Sequence, residues 1–403
     1  MEPRFLHAYP RIRPTIEVSI QTRPRRTHGK GLLMLNVTTF VGLDVHARSI
    51  KAVALDAMTG ETKSATFAYD AAAVAGWVGS LDPAAKCVYE SGVTGFDLQK
   101  KLAALGVDCV VGAVSKMIKP AADRKRKNDR NDAEFLARML SVGNVVEVWV
   151  PDDECEAARD LVRALDDARE DLKRCKQRLS KFLLRHGYVF SETTPTGRRK
   201  GNWTAAHWAW IRSIEFPERA DNDVLAYYVD AVRQAMEDKK RLEGLVEAEA
   251  SKPRWKKRVD SLRCLKGVDT MTAADIAFEA GEFSRFKSAR SFAAWLGLTP
   301  SEHSSGESVR QGGITKAGNK HLRRVLVESA WHYLNASAHS KDLAKGQIPD
   351  PAARRHAAKG VRRLVKRREG MLERGVHKNK ANVATARELA AWVWAVGCIV
   401  ESA

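Results

Sequence analysis

A mixed α/β domain followed by a largely helical second half is the architecture this sequence predicts. Two observations carry it. Up to about residue 150, short β-rich runs alternate with helical ones. From Ala158 onward, apolar residues recur three and four apart over long stretches, the spacing of helices.

The first half sets out its elements in order. Thr38–Leu43 is a short apolar β-rich run ending at Asp44. Ser49–Leu55 follows, Met58-Thr59-Gly60 reads as a turn, and Lys63–Tyr69 completes three successive antiparallel strands. Ala71–Leu81 reads as a helix and Lys86–Tyr89 as a strand, with Glu90 at its carboxyl end and Gly92 and Gly95 after it. Phe96–Leu105 is a helix and Val107–Val114 a strand. A last helix opens at Asp129 and continues through Phe135, Leu136, Met139 and Leu140 at helical spacing. This order, βββαβαβα, is that of a ribonuclease H-like α/β domain.

That order places four acids. Asp44 and Glu90 stand at strand ends, where ligands of open α/β sheets gather. Asp129 and Asp132 are three apart and share a helix face. Lys125, Arg126, Lys127 and Arg130 surround them. Carboxylates suit a hard cation such as Mg²⁺, and carboxylates ringed by cations suit a metal acting on a phosphodiester. Four acids from three elements can hold two ions about 3.5–4 Å apart. Each acid also has a plain reading: a turn cap for Asp44, a solvated strand end for Glu90, and dipole or capping residues of a helix start for Asp129 and Asp132.

In the second half, Ala158, Leu161, Leu165, Ala168, Leu172, Cys175, Leu179 and Phe182 form an a/d seam over about four heptads. A weaker seam runs through Leu225, Tyr228, Val232, Ala235, Leu242 and Val246, with Lys239 breaking it. The pair predicts a coiled-coil connector that serves dimerisation, or an intramolecular helix pair. The stretch between them, Gly187 to Asp223, reads as loop-rich; its Trp203, Trp208 and Trp210 are core residues or base-stacking platforms. Leu262–Ala273 resembles half of a helix-hairpin-helix, with Asp269 where a second glycine is usual; a plain helix–helix turn fits as well. Ala289–Leu296 is helical and leads into a Ser/Gly-rich loop with Ser301, Ser304, Ser305 and Ser308. Arg310, Lys316, Arg323 and Arg324 follow. A hydroxyl beside these cations could attack a phosphate, or the loop is a basic DNA contact; the chemistry does not select one serine. Lys341–Lys380 carries thirteen Lys/Arg against four Asp/Glu and reads as nucleic-acid-facing. The last helix, Thr385–Val400, is apolar on most sides and should pack into the C-terminal domain.

The whole chain has 403 residues and a net charge of +19, which calls for a polyanionic partner, nucleic acid by default. Six scattered cysteines without a CxxC pair argue against a zinc knuckle and read as reduced core residues of a cytoplasmic protein. No stretch approaches ~18 uninterrupted apolar residues, so no membrane span is expected. Residues 1–33 hold seven Lys/Arg and two Asp/Glu without an apolar core, so they read as a disordered arm and not as a secretory signal.

Taken together, Gly42-Leu43-Asp44-Val45-His46, Tyr89-Glu90-Ser91-Gly92, Lys127-Asn128-Asp129-Arg130-Asn131-Asp132-Ala133 and Gly297-Leu298-Thr299-Pro300…Ser305-Gly306 closely resemble, in that order, the DEDD transposases of bacterial insertion-sequence family 110, relatives of the Piv DNA invertases. The resemblance covers roughly residues 39–335. It implies a RuvC-like domain over residues 38–150 after an arm of residues 1–37, a coiled-coil or helical connector over 151–255, and a mostly α-helical C-terminal transposase domain over 256–403. It implies Asp44, Glu90, Asp129 and Asp132 as a Mg²⁺-binding tetrad, with two ions per site, and Ser305 as a nucleophile that links to DNA. Lys127, Arg130, Arg310, Lys316, Arg323 and Arg324 become nucleic-acid contacts. The partners implied are donor and target DNA, a guiding bridge RNA, and further copies of the chain, a dimer that becomes a tetramer in the synaptic complex. In that arrangement the acids of one protomer serve the serine of another, at the nucleoid and not at a membrane. Competing readings are a RuvC-like junction nuclease without serine chemistry and a non-catalytic nucleic-acid-binding protein.

Overall fold

A five-stranded sheet forms the centre of the first half, and its middle strand, β1 (Thr39–Val45), carries the first of the four acids. The structure, a computed structural model, describes residues 37–113, 128–302 and 311–403. The described chain divides into two compact units, one ending at Val150 and the other running from Pro151 to Ala403.

In the first unit β1 pairs antiparallel with β2 (Ser49–Asp56), and β2 antiparallel with β3 (Thr62–Ala68). On its other side β1 pairs parallel with β4 (Lys86–Glu90), which pairs parallel with β5 (Asp108–Gly112). The order β3-β2-β1-β4-β5, with helices on both faces, is the ribonuclease H-like arrangement expected from the sequence. The strands lie where alternation put them, within one or two residues at each end. Asp44 is the one adjustment: it stands inside β1, one residue before its end.

Alternation assigns the two faces. Val41 and Leu43 of β1 and Cys87 and Tyr89 of β4 point to one face, packed with Val74 and Val78 of α1 (Ala71–Leu81) and Leu98 and Leu102 of α2 (Asp97–Ala104). Phe40 and Val88 point to the other, against Phe135, Leu136 and Leu140 of α3 (Asp129–Ser141). Gly42 belongs to this second face. A Cβ there would meet the Ala133 carbonyl oxygen at 1.8 Å and the Ala137 nitrogen at 2.7 Å. The helix backbone therefore rests directly on β1, through a glycine on the strand and two buried alanines on the helix. Sheet alternation then sends Asp44 and Glu90 out on the face that α3 covers.

The second unit is mostly helical. The two seams belong to α4 (Asp153–Arg185) and α6 (Arg219–Ala250), and these helices pack on each other within the chain. Leu172, Leu179 and Phe182 of α4 share one cluster with Leu225, Val229 and Val232 of α6. The intramolecular alternative of the sequence reading is thus what the described residues show. The burial also shifts off the ideal heptad: Val162 is buried where the seam named Leu161. The segment read as loop-rich holds a short helix, α5 (Ala205–Arg212), and Trp203, Trp208 and Trp210 lie half-buried against the α4–α6 cluster. The N-terminal half of α4 is built into the rest of the unit, where Cys155 and Ala158 are buried and Cys155 Sγ lies 3.5 Å from the Phe278 carbonyl.

α7 (Pro253–Leu262) and α8 (Thr270–Ala280) flank the helix-hairpin-helix-like turn. Asp269 is the N-cap of α8, accepting a hydrogen bond from the Thr272 N–H at 2.8 Å. Its carboxylate stands at the helix N-terminus, where a phosphate would otherwise bind, so the plain helix–helix turn is the reading the geometry favours. Gly267 turns with φ +73° beneath the Ser329 carbonyl. After α9 (Ala289–Trp295) a hairpin of β6 (Pro300–Glu302) and β7 (Gln311–Ile314) leads to α10 (Lys320–Ala330). α11 (Pro351–Glu373) and α12 (Lys378–Ser402) close the unit. α12 alone among the described helices is long and apolar enough to cross a membrane by length and composition. It packs against α7, α9, α10 and α11, and Gly397 lies flat on the Phe283 ring.

Buried charges join α4, α8 and α10. Glu279 of α8, 1% exposed, accepts from Arg163 Nε at 2.7 Å and from the Asn319 side-chain amide at 2.8 Å, with Arg159 at 3.5 Å. His321 at the start of α10 bridges Asp166 of α4 and Asp275 of α8, each at 3.2 Å. Arg324 also pairs with Asp166, and Arg169 lies 3.7 Å from Asp275. Burial alone would lower the His321 pKa, but the Asp275 hydrogen bond and the charges of Asp275, Asp166 and Glu279 outweigh it and raise it.

Two outcomes follow. Replacing Gly42 with Ala should destabilise the first unit by about 3 kcal/mol, the upper end of overpacking costs, because backbone and not a flexible side chain must yield; chemical denaturation measures it. A histidine whose folded pKa is raised contributes stability that is complete below its unfolded value of about 6.5 and is lost as pH rises through the folded value. The unfolding temperature of the protein should therefore fall from pH 6 to pH 9 more steeply than that of His321→Gln, measured by calorimetry in matched buffers.

Candidate metal centre

α3 begins with Asn128, whose side chain accepts a hydrogen bond from the Arg130 N–H at 3.0 Å. Asn128 is therefore the cap, and the two aspartates are released from that role. Asp129 is the first residue of the helix and Asp132 lies three further on, on the same side. Because α3 rests on Gly42, this end of the helix lies over the end of β1, where Asp44 emerges.

Asp44, His46 and Asp129 offer ligand atoms that all lie within 4.8 Å of one another. His46 Nε2 is 3.3 Å from Asp44 Oδ2 and 3.7 Å from Asp129 Oδ2. The Asp44 carboxyl is pushed above the usual carboxylate range, first by burial. His46 opposes the shift, and Asp129 and Asp132 add to it through like charge. Asp132 is thus part of the same electrostatic cluster. Glu90 ends β4, one strand over: Leu43 of β1 is registered with Tyr89, which puts Glu90 beside Asp44 along the sheet. Its side chain is exposed and stands outside the close triad. The Tyr89 hydroxyl steadies the loop after it, donating to the Gly95 carbonyl at 3.0 Å.

His46 is the residue that the sequence reading left without a role. Its signal in the sequence is its place two residues after Asp44, directly past the end of β1, where an extended chain puts both on one side.

The site fits a divalent cation by its donor chemistry. Oxygen donors suit hard ions, and the imidazole extends the set toward transition metals. Crowding of Asp44, Asp129 and Asp132 disfavours the charged form of Asp44 in the absence of a cation.

The other expected site residues have different surroundings. Arg130 is exposed on the first turn of α3. Lys316 is exposed at φ +56°. Arg323 and Arg324 are engaged within the protein: Arg323 donates to the Leu296 carbonyl at 2.9 Å, and Arg324 pairs with Asp166 and with Glu328. They hold α10 in place. Ser301 lies in β6, with its Oγ against Gly312. Lys127, Ser304, Ser305, Ser308 and Arg310 lie outside the described residues, as does the N-terminal arm up to residue 36. In the basic C-terminal stretch, Arg363 and Arg367 pair with Glu388 of α12, and Arg368 is fully buried, donating to the Ala330 carbonyl at 2.8 Å and to Asn382 Oδ1 at 2.6 Å. Arg354, Arg355, Lys359, Arg362 and Lys366 remain exposed on α11.

Comparison with known proteins bears on both units. Residues 41–187 match a transposase family described by its DEDD domain and IS110. Residues 259–345 match the family described as Transposase IS116/IS110/IS902. The protein y4qE of Sinorhizobium fredii, whose name calls it a transposase, is 36% identical over 311 residues, covering 76% of this chain and 74% of its own length. The transposase for insertion sequence element IS1533 of Leptospira borgpetersenii is 29% identical over 320 residues, covering 78% of this chain and 90% of its own length. With an acidic cluster on a ribonuclease H-like sheet, and with relatives that span both units, the chain belongs to the IS110 family of insertion-sequence transposases, enzymes that act on DNA.

Proposed function

We propose that this transposase cuts and rejoins DNA strands with a metal-binding tetrad of Asp44, Glu90, Asp129 and Asp132 and a serine nucleophile, Ser305. The observation that supports it most is the convergence of Asp44 and Asp129, from a strand and a distant helix, within ligand reach of each other. The preferred ion is Mg²⁺, two per site, held by the four carboxylates. When bound, the metal supplies Lewis-acid polarisation of a phosphodiester.

The protein's own residues do the rest. Arg130, exposed on the first turn of α3, adds a positive charge for the phosphodiester beside the carboxylates. Ser305 Oγ attacks phosphorus and forms a phosphoserine ester. The bond to the departing strand oxygen breaks, and that strand leaves as a free hydroxyl after taking up a proton. The reverse attack by a new strand hydroxyl restores Ser305 and joins the DNA. A structured bridge RNA selects donor and target by base pairing, and the acids of one protomer serve the serine of another. The arm of residues 1–37, the α/β domain over 38–150, the helical connector over 151–255 and the C-terminal domain over 256–403 divide these tasks.

Three experiments test this reading. Ser305→Ala should abolish covalent protein–DNA adducts on labelled element ends while DNA binding persists; adducts that survive remove the serine, and cleavage without adducts supports a metal nuclease. Adding Mg²⁺ should raise the unfolding temperature of the wild-type protein but not of Asp44→Asn with Asp129→Asn, read by calorimetry. An equal rise in both would place the ion elsewhere. RNA sequencing of material that co-purifies with the protein should return one structured species encoded beside the gene.

A further inference from the structure

The second seam contains an anomaly. Lys239 occupies a place where α6 should present an apolar residue to α4. A lysine in a helix–helix seam costs stability unless something compensates it. Beside Lys239 lies a groove of about 550 Å³, walled mainly by α4 and by Trp203. That volume is within the range of small-ligand sites, ~300–1,000 Å³.

The groove is lined by cations of both helices. Arg169, Lys173, Lys176 and Ser180 follow at intervals of four, three and four residues, so they form one stripe along α4. Lys181 and Lys239 add to the lining, and no acid is part of it. Lys173 and Lys239 each hold a glutamate of their own helix, Glu170 and Glu243, and Arg169 leans toward Asp275. Among the described residues, Lys176 and Lys181 have no ion pair. Burial lowers the Lys176 pKa, and the facing charge of Lys239 lowers it further. Lys176 faces Lys239, whose ammonium Glu243 holds at 2.6 Å, and has no anion of its own among the described residues.

One wall is Trp203, and its backbone is strained. It has φ +68°, a left-handed conformation unusual for a bulky side chain. The conformation is held by the Trp203 N–H, which donates to His207 Nδ1 at 3.0 Å. The indole is half-buried, and Lys176 Nζ lies 5.0 Å from its ring centre. An aromatic ring with an unpaired ammonium group at it combines the two contacts that single-stranded nucleic acids use: stacking for the base, a cation for the phosphate.

We infer that this groove along α4 is a binding site for a single nucleic-acid strand, with phosphodiester charge on Lys176 and Lys239 and a base against Trp203. The site lies wholly in the second unit and does not use the metal centre, so it can fail or hold independently of the proposed tetrad. A duplex, whose bases are stacked inside, gains only the charge contacts.

The test is fluorescence anisotropy of full-length protein in EDTA, where metal-dependent cleavage is suppressed. Labelled single-stranded RNA, single-stranded DNA and duplex DNA of one length and composition are the probes. Lys176→Gln with Lys239→Gln should weaken single-strand binding about tenfold at 0.1 M salt and reduce the slope of log K against log salt by about 1.4, the value for two phosphates. Whichever single strand shows the larger fall, RNA or DNA, is the occupant. Lys176→Arg with Lys239→Arg, which keeps both charges, should restore the affinity. Arg178→Gln with Lys240→Gln, exposed positions on the same helices outside the groove, should change little. An equal fall with this control pair, an equal fall on duplex DNA, no fall at all, or no restoration by arginine would each overturn the assignment.

Discussion

The contact on which the first unit depends is that of α3 on Gly42. A helix normally stands off a sheet by the length of its side chains. Here the strand offers a hydrogen atom, and the helix offers Ala133 and Ala137, so backbone lies against backbone. That closeness turns two sequence-distant aspartates into neighbours. With a larger residue at position 42, the helix would lift and carry Asp129 away from Asp44. The electrostatic discomfort at Asp44, whose carboxyl is pushed up by burial and by Asp129 and Asp132, follows from the same contact. Packing free energy in the body of the helix holds like charges together at its tip.

Much of this was legible in the residues. Alternation located the strands, and their order gave the sheet. The i, i+3 spacing of Asp129 and Asp132 put both on one side of a helix. What the pattern could not supply was distance. Nothing in the spacing shows that Gly42 permits a direct helix–strand contact, nor that His46 comes within 3.3 Å of Asp44. The seams were legible as helices, but the identity of the partner was not: apolar periodicity says that a face is covered, and α6 of the same chain covers α4. Charge was the least legible feature. Arg323, Arg324, Arg363, Arg367 and Arg368 look like nucleic-acid contacts in a basic chain, yet each has a partner within the protein.

The second unit relies on polar interactions in its interior to an unusual degree. Glu279, Asp275 and Asp166 collect partners from α4 and α10, so three helices are joined by directional bonds as well as by apolar contact. Such groups are costly to bury and strongly destabilising when a partner is lost. They also accept few alternative geometries. The start of α10, directly after the β6–β7 hairpin, is fixed by this network and by the Arg323 bond to Leu296.

The division of arginines into internal and external sets matters for anyone who would reshape this enzyme. A recombinase with excess positive charge tends to cling to any DNA, and the usual remedy is to neutralise basic residues. On α11 that remedy has a safe side and a dangerous one. Arg354, Arg355, Lys359, Arg362 and Lys366 face water and can be exchanged freely as far as folding is concerned. Arg368, one turn away, is mortar: it is buried against Trp331 and tied to α12 through Asn382, so its removal would loosen the helix pair that closes the fold.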